Sequence, residues 1–333
     1  MRKKITIAEV AKKAGVTGAT VSLVLNGHPR IPAETRKRVL KAVKALDYAP
    51  NQAARSLAAG KTNTIAIASI SFSAWYEMAL MRGIEKEIGG GRYGIIQYPT
   101  AGNPAKEKEL SAGLLNGGRA DGLIGFSFVP PARVLAEMKK RKYPFVSVGE
   151  KVRGFCSVVF DDYAGAYAAA ERLIKAGRRN IAIINQRRVR GYTASDVRQK
   201  LKGFRDAAVN YGIDPSNVIE VENVYFKDGE DACEKIAAMG RKIDGVFCGA
   251  GDNTAIGFIK RARKLGISIP SDMALIGYDD IETAGAVTPE LTTVRQPVEE
   301  AGAAAFRRLA DMISGKPAGD IVFNPVIIER ESG

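Results

Sequence analysis

The chain has 333 residues, of which 46% are hydrophobic and 26% charged, an ordinary composition for a globular protein of two or three domains. Its net charge of +14 is concentrated at one end, because residues 1–61 carry 13 Lys and Arg against three acidic residues. This distribution indicates a polyanion-binding module at the N-terminus rather than a uniformly basic surface or a featureless basic tail.

The cysteine and histidine content argues against several functional classes. Cys156, Cys233 and Cys248 lie far apart without a C-x-x-C pair, which argues against a disulfide framework or a zinc site and fits a reducing cytoplasm. His28 is the only histidine, so one chain can hardly supply a Ser-His-Asp triad or a two-histidine metal site. No apolar run suggests a membrane span or a secretory signal. We therefore expect a cytoplasmic protein without a cofactor.

The N-terminal segment has the pattern of three short helices. The first, Ile7–Ala14, begins with a capping box formed by Thr6 and Glu9. Apolar residues at helical spacing predict a second helix over Gly18–Asn26 and a third over Ala33–Leu46. Because the first two helices are joined by a short turn containing glycine, they form a predicted helix-turn-helix.

The second predicted helix has an outward side suited to DNA. A recognition helix presents its outer positions to base edges in the major groove, and hydroxyl and amide side chains bind phosphates or sugars. The alternative is that these residues are only caps and a solvated face. The candidate DNA-binding residues of this segment are Thr6, Thr17, Gly18, Ala19, Thr20, Ser22, Leu23 and Asn26.

A short alanine-rich segment follows, in which Asn51 can cap a fourth helix that ends at Gly60. It is too short for stable helicity alone, so we expect a hinge that folds only when docked. Leu57 could unstack a minor-groove step, or it could pack on the neighbouring domain. The candidate DNA-binding residues here are Asn51, Ala54, Arg55 and Leu57.

These segments match one known pattern of residues in order. The matching residues are Thr6-Ile7-x-x-Val10-Ala11-x-x-Ala14-Gly15-Val16-Thr17, Thr20-Val21-Ser22-x-Val24-Leu25-Asn26-Gly27, Thr35-Arg36, Tyr48-x-Pro50-Asn51 and Ala54-Arg55-x-Leu57. The pattern resembles the DNA-binding head of the lac repressor/galactose repressor family. The resemblance implies a homodimer on double-stranded operator DNA, with recognition helices in successive major grooves and paired hinge helices that use Leu57 as a wedge.

In that family Gly18, Ala19 and Leu23 occupy the usual base-reading positions. None of the three is a long polar residue, so bidentate hydrogen bonds to bases are not available from them. We therefore expect readout by contacts with thymine methyl groups, close backbone approach at Gly18 and DNA shape at the hinge.

Residues 62–333 alternate short apolar runs with longer amphipathic segments. Strands are predicted at 64–70, 93–98, 122–126, 145–148, 157–160, 180–184, 218–221, 245–248, 274–277 and 326–329. Helices are predicted at 77–88, 104–116, 132–140, 163–176, 197–211, 228–239, 253–265 and 298–313. This alternation indicates an α/β fold with two doubly wound parallel sheets, in which ligands bind beyond the carboxyl ends of the strands.

This region resembles the two-lobed fold of periplasmic sugar-binding proteins and continues the same repressor family. The matching phrases are Arg82-Gly83-Ile84-Glu85, Asp121-Gly122-Leu123-Ile124, Leu201-x-Gly203-Phe204, Asp252-x-x-Ala255-x-Gly257, Ile269-Pro270-x-Asp272, Gly277-Tyr278-Asp279-Asp280 and Leu291-Thr292-Thr293-Val294. The resemblance implies three crossings between lobes, near 161, 290 and 323. The expected divisions are a head at 1–49, a hinge at 50–61, a first lobe at about 62–160 with 291–322, and a second lobe at about 161–290 with 323–333.

The same resemblance implies the positions that bind an effector between the lobes. The candidates are Ser71, Ser73, Tyr76, Ser127, Arg198, Lys200, Phe226, Asp252 and Asp279. Asp252 could instead be a helix N-cap, and Asp279 a turn residue. The family usually has Arg where Lys200 stands, and the loop 186–190 is unusually basic. These departures leave a sugar, a sugar acid or a sugar phosphate open, although the basic loop could be only a solvated loop or a dimer rim.

The sequence therefore predicts a sequence-specific DNA-binding regulator, a repressor whose operator affinity depends on a small-molecule effector. A cleft-type binding protein without such a switch is the alternative, and a transport-type binding protein would not explain residues 1–61. A nucleotide-dependent enzyme is disfavoured, because Gly249–Thr254 lacks the G-x-G-x-x-G spacing and the chain has no Walker loop. We expect no catalytic activity.

Overall fold

The computed structural model describes residues 5–25, 27–48, 61–89, 91, 93–100, 103–187, 195–239 and 242–333. The chain separates into two compact units, Met1–Thr62 and Asn63–Gly333. Predictions for Asn26, for the hinge segment with Asn51, Ala54, Arg55 and Leu57, and for the basic loop beyond Arg187 lie outside the described residues.

The first unit contains three short helices: α1 (Ile7–Ala14), α2 (Gly18–Leu25) and α3 (Ala33–Ala45). The three helices bury one common core, to which each contributes valine or alanine. Val10, Val21 and Val39 are all fully buried there. The predicted helix-turn-helix is thus present, with ends within one residue of those expected.

The second unit begins with a lobe built on a six-stranded sheet. Its strands are β1 (Thr64–Ser69), β2 (Gly94–Pro99), β3 (Gly122–Phe126), β4 (Phe145–Val148), β5 (Cys156–Phe160) and β11 (Ile321–Phe323), in the order β11-β5-β4-β3-β1-β2. All of these pairs are parallel. Its helices are α4 (Trp75–Ile88), α5 (Pro104–Gly117), α6 (Ala132–Arg141) and α11 (Val298–Ile313). The sheet has a separate apolar core on each face, one with α4 and α11 and one with α5 and α6.

The second lobe repeats this plan. Its strands are β6 (Ile181–Gln186), β7 (Val218–Val221), β8 (Gly245–Cys248), β9 (Ala274–Asp279), β10 (Thr292–Arg295) and β12 (Val326–Ile328), in the order β12-β10-β9-β8-β6-β7. Its helices are α7 (Asp162–Lys175), α8 (Ser195–Asn210), α9 (Phe226–Ala237) and α10 (Asp252–Lys264). Only the pairing of β10 with β12 is antiparallel in this described sheet. No helix among the described residues has the length and apolar character needed to cross a membrane.

One predicted lobe boundary is wrong. We expected the chain to return to the first lobe near residue 290. Strand β10 instead pairs with β9 of the second sheet, so the crossing lies between Arg295 and Val298. Strands β10 and β11 were not predicted. Thr292 and Thr293 of β10 are polar in sequence yet fully buried, because each hydroxyl is hydrogen-bonded within the second lobe.

Paired helices within each lobe approach each other closely at glycines. A Cβ atom on Gly83 of α4 would lie 1.9 Å from the carbonyl oxygen of Glu299 on α11, and one on Gly302 would lie 2.1 Å from the carbonyl oxygen of Leu80. The second lobe has similar approaches at Gly203 and Gly229. Because the obstructing atoms belong to the backbone, a side chain there would force the two helices apart.

We expect Gly83→Ala to lower the free energy of unfolding by about 1–3 kcal/mol, as overpacking does in other cores. The matched control is Gly113→Ala on α5, where the nearest atom to an added Cβ is the Arg119 guanidinium at 3.8 Å. Alanine has the higher helix propensity, so Gly113→Ala should not destabilise the protein. Urea unfolding of both variants measures the difference; equal effects would contradict the backbone clash.

Candidate nucleic-acid interface and ligand cleft

The turn between α1 and α2 is fixed by local hydrogen bonds. Thr6 caps α1, since its hydroxyl accepts from the Glu9 backbone N–H at 3.4 Å and its own N–H donates to the Glu9 carboxylate at 2.7 Å. Thr17 caps α2 in a similar way by accepting from the Thr20 N–H at 3.2 Å. Gly15 ends α1 in the left-handed region with φ 64°. Gly15 thus ends the first helix, and Thr17 begins the second two residues later.

Helix α2 divides into a buried and an outward side, as predicted. Val21 and Val24 are buried, whereas Ala19 is exposed and Leu23 is 39% exposed. The partly buried candidates on and next to this outward side are Gly18, Thr20 and Ser22, and Thr17 before the helix is exposed. The helix carries no charged residue, so its outward side consists of methyl, methylene and hydroxyl groups. Such a surface can approach base edges without desolvating a charge.

Arg36 is a positioning residue that the residue-by-residue reading did not single out. Its guanidinium on α3 donates to the backbone carbonyl of His28 at 2.8 Å. The bond ties the loop after α2 to the third helix. The only sequence signal for it was its place in the Thr35-Arg36 pair of the family pattern.

In the second unit, polar atoms of the first lobe gather beyond the carboxyl ends of β3 and β4. A Cβ atom on Gly149 would lie 3.1 Å from both the Ser127 hydroxyl and the Tyr76 hydroxyl, so these two groups are close neighbours. Tyr76 also packs edge-on against Phe160, with ring centroids 6.3 Å apart. The Ser71 and Ser73 hydroxyls lie 2.9 Å apart in the loop that follows β1.

The second lobe contributes a group of charges at the same end of its sheet. The Lys200 ammonium lies 3.3 Å from the Asp196 carboxylate and 4.6 Å from the centre of the Tyr278 ring. Asp279 ends β9 with φ 107°. Burial raises the pKa of the Asp279 carboxyl to about 7, against the opposite influence of Lys200. Burial would lower the pKa of Lys200, but the charges of Asp196, Asp162 and Asp279 outweigh it and raise that pKa.

Glu150 joins the two lobes directly and was missed by the sequence reasoning. It follows β4, it is buried, and its carboxylate accepts a hydrogen bond from the Ser195 backbone N–H at the start of α8, at 3.2 Å. Its position directly after a strand was the only sequence signal for a role of Glu150. Nothing in the sequence shows that α8 of the other lobe begins next to this residue.

Asp162 joins the crossing segments and was also missed. It starts α7 directly after the first crossing, and its carboxylate accepts from the Tyr278 hydroxyl at 2.7 Å and from the Gln296 amide at 2.8 Å. Gln296 belongs to the second crossing. In addition, the Asp161 N–H donates to the Phe323 carbonyl at 2.9 Å, which ties the first crossing to the third. Hydrogen bonds from Asp161 and Asp162 thus connect all three crossings, which together form the hinge between the lobes.

Asp252 was proposed as an effector ligand, and its environment contradicts that role. The residue is fully buried, and its carboxylate accepts from the Thr293 hydroxyl at 2.7 Å and from the Ile281 N–H at 3.0 Å. Burial, and then the charge of Asp279, raise its pKa well above the usual range. Asp252 therefore joins α10, β10 and the segment after β9. It makes no side-chain cap of α10 either.

Phe226 and Arg198 lie apart from the central charges. Phe226 begins α9 after the edge strand β7 and is 49% exposed, whereas Asp279 ends β9, three strands further into the sheet. Arg198 is exposed on α8, while Lys200, two residues along the same helix, is buried. The structure thus brings together Tyr76 with Ser127 in one lobe, and Lys200 with Asp279 in the other.

The pH dependence of stability tests the hinge. Burial raises the pKa of the Asp162 carboxyl to about 6, although the charge of Lys200 lowers it. The folded state therefore holds this proton more tightly than the unfolded state, so wild-type stability falls as the pH rises from about 4 to about 6. We expect Asp162→Asn to remove as much as about 3 kcal/mol of that fall.

The measurement is urea unfolding at pH 4.5 and pH 7. The control is Asp161→Asn, because Asp161 caps α7 by accepting from the Ala164 N–H and asparagine caps equally well. A pH dependence in Asp162→Asn as steep as in the wild type would refute this account of the hinge carboxyl.

Comparison with known proteins agrees with both parts of the chain. Residues 6–51 match the family described as bacterial regulatory proteins, lacI family, and residues 170–333 match a periplasmic binding protein-like domain. Catabolite control protein A of Priestia megaterium is 34% identical over 310 residues, covering 92% of this chain and 91% of the relative. The HTH-type transcriptional repressor PurR of Salmonella paratyphi B is 32% identical over 333 residues, covering 98% and 96%.

A solved structure extends the likeness to the whole chain. The transcriptional regulator CelR in complex with cellobiose superposes with a TM-score of 0.71 at 26% identity, covering 99% of this chain and 100% of the other. The head, the two-lobed unit and the full-length relatives lead to the same assignment: the chain belongs to the lacI family of bacterial regulatory proteins.

Proposed function

We propose that this regulator is a dimeric cytoplasmic repressor whose interlobe cleft binds a neutral sugar, and that the bound sugar changes its affinity for operator DNA. One observation carries the proposal. The first lobe places the hydroxyls of Ser127 and Tyr76 beyond its strand ends. The second lobe places the Asp279 carboxylate and the Lys200 ammonium at the corresponding end of its own sheet.

The chemistry of these groups suits a polyhydroxylated ring. The Asp279 carboxylate can accept hydrogen bonds from sugar hydroxyls, and the hydroxyls of Ser127 and Tyr76 can both donate and accept. Ser71 and Ser73 offer further hydroxyls, and the Tyr76 ring offers an aromatic face for a sugar ring. The cellobiose bound to the related regulator CelR supports a sugar as the ligand class.

The charge balance favours a neutral sugar over a sugar acid or sugar phosphate. Lys200 already has Asp196 at 3.3 Å, and the charges of Asp162 and Asp279 act on it as well. Arg187 of the basic loop lies 3.8 Å from the Glu222 carboxylate. At Lys200 and Arg187 an added anion would therefore meet cations that already have carboxylate neighbours.

The hinge supplies a physical route from sugar to DNA. A ligand that contacts both lobes changes the free energy of their closure, and the crossings are tied together at Asp162 and Gln296. A change in lobe angle alters the spacing of the two heads in a dimer. Coupling energies of this kind are typically about 1–3 kcal/mol and are reciprocal, so operator DNA must change sugar affinity by the same factor.

The central test is a fluorescence-anisotropy titration of palindromic DNA from upstream of the protein's own gene, at two salt concentrations, with neutral sugars and sugar acids. We expect tight, salt-sensitive binding that one neutral sugar shifts by about 5- to 150-fold. Asp279→Asn should abolish the shift but leave DNA affinity without sugar unchanged. Asp231→Asn on α9, where Asp231 pairs with Lys227, is the control.

Two outcomes would count against this proposal. Binding that is weak, indifferent to sequence and unmoved by any compound would contradict a ligand-controlled repressor. A shift produced only by sugar acids would contradict the neutral ligand and return the basic loop to consideration.

For DNA readout we expect apolar contact at Leu23. Leu23→Ala should lower affinity for the operator about tenfold, because a contact with a thymine methyl group would be lost, and leave non-specific DNA binding unchanged. The control is Leu40→Ala on α3, since Leu40 is 49% exposed but lies off the recognition helix. An equal loss on operator and random DNA would show that Leu23 does not read sequence.

The same titration distinguishes the proposed repressor from a binding protein without a switch. In the latter, sugar would bind without changing the affinity for DNA. Catalysis is not proposed, since the relatives found are transcriptional regulators. A turnover screen that shows a rate above background would reverse that view.

A further inference from the structure

A cavity of about 510 Å³ opens in the first lobe at the edge where its strands begin. It lies between the C-terminal end of α6, the connection from β4 to β5, and the segment that follows α11. Because the sheet is parallel throughout, this edge is opposite the one that carries Ser127 and Glu150. The cavity is therefore separate from the ligand cleft.

Apolar side chains form part of the wall of this cavity, beside its charged groups. Met138, Phe155, Met312 and Ala318 line it, and Met138 is fully buried. The Tyr143 ring adds an aromatic surface, and its hydroxyl donates to the Ala120 carbonyl at 3.1 Å. An apolar body placed here would leave water without forfeiting a hydrogen bond of the wall.

The charged lining is mainly positive. Lys139 and Lys142 line the cavity, and neither forms an ion pair with a carboxylate of the described residues. The one carboxylate in the lining, Asp320, already accepts from the Ser157 N–H at 2.9 Å and lies 3.7 Å from the Lys151 ammonium. The available charge is thus that of two ammonium groups beside a partly apolar wall.

We propose that this cavity is a second ligand site, which takes a small amphipathic anion: a carboxylate or sulfonate carried on an aromatic or branched hydrocarbon body. Its volume falls within the range of about 300–1,000 Å³ that is typical of small-molecule sites. Ammonium groups form charge-assisted hydrogen bonds with such an anion, and the partly exposed side chains of Phe155, Met312 and Ala318 offer apolar contact to its body.

Hydrogen bonds connect the wall of the site to the first residue of the second unit. Tyr143 is hydrogen-bonded to Ala120, and the next residue, Asp121, accepts from the backbone N–H of Asn63 at 2.8 Å. Asn63 is the first residue of the second unit. An effect of the ligand on DNA binding would rest on the proposed repressor function, whereas ligand binding itself does not.

The probe for this site is 1-anilinonaphthalene-8-sulfonate, an aromatic sulfonate whose fluorescence rises in apolar surroundings. N-phenyl-1-naphthylamine, which has the same rings without the sulfonate, is the neutral comparison. We expect one sulfonate per full-length chain, bound about tenfold more weakly after Lys139→Ala or Lys142→Ala, as for loss of a hydrogen bond to a charged group. Lys140→Ala is the matched control, because Lys140 is the next residue on α6 but does not line the cavity.

Ala318→Phe, which fills the cavity, should abolish the signal, with circular dichroism confirming the fold. Equal affinity in Lys139→Ala, Lys142→Ala and Lys140→Ala would overturn the site. Tighter binding of the neutral amine than of the sulfonate would overturn the anionic ligand. Loss of operator binding with retained probe binding would refute the repressor function alone, so the two failures are distinguishable.

Discussion

Parallel strand pairing is the constraint on which the second unit depends. Two parallel strands cannot be joined by a tight turn, so each connection in a lobe returns the chain to the same edge of the sheet before the next strand begins. All strands of the first lobe, and all but β12 of the second, consequently end on one edge. Ser127 and Glu150 follow strands of one sheet, and Asp279 ends a strand of the other. The opposite edge carries Asn63 and the proposed second site.

The sequence predicted the repeating part of this fold well. Fully apolar runs such as Gly122–Phe126 and Gly245–Cys248 matched strands because every residue in them is buried. Strand β10 was not predicted because threonines are polar, and a local run that contains them does not read as buried. They are buried through partners far away in sequence: the Arg330 N–H donates to Thr292, and Thr293 donates to Asp252. No local pattern carries such information.

The same reasoning explains the uneven prediction of the cleft. Lys200 on α8 and Asp279 at the end of β9 were predicted because their positions follow from the family pattern. Asp252 also belongs to the family pattern, but its carboxylate accepts a hydrogen bond from Thr293 inside the lobe. The sequence does not show that Thr293 lies beside it. Glu150 and Asp162 were missed for the converse reason, since their partners, Ser195 and Gln296, lie across a lobe boundary or a crossing.

The glycine contacts between helices have a consequence for protein engineering. Helix α4 contacts α11, and α9 contacts α10, backbone to backbone. Such close packing leaves these helices little freedom to move relative to each other. Of the residues proposed to bind sugar, Ser71 and Ser127 instead lie in loops and Asp279 at a strand end, outside these helix contacts. The loops beyond β1 and β3 are therefore the places to introduce residues from related sensors, which makes the unit a suitable frame for building reporters of new small molecules.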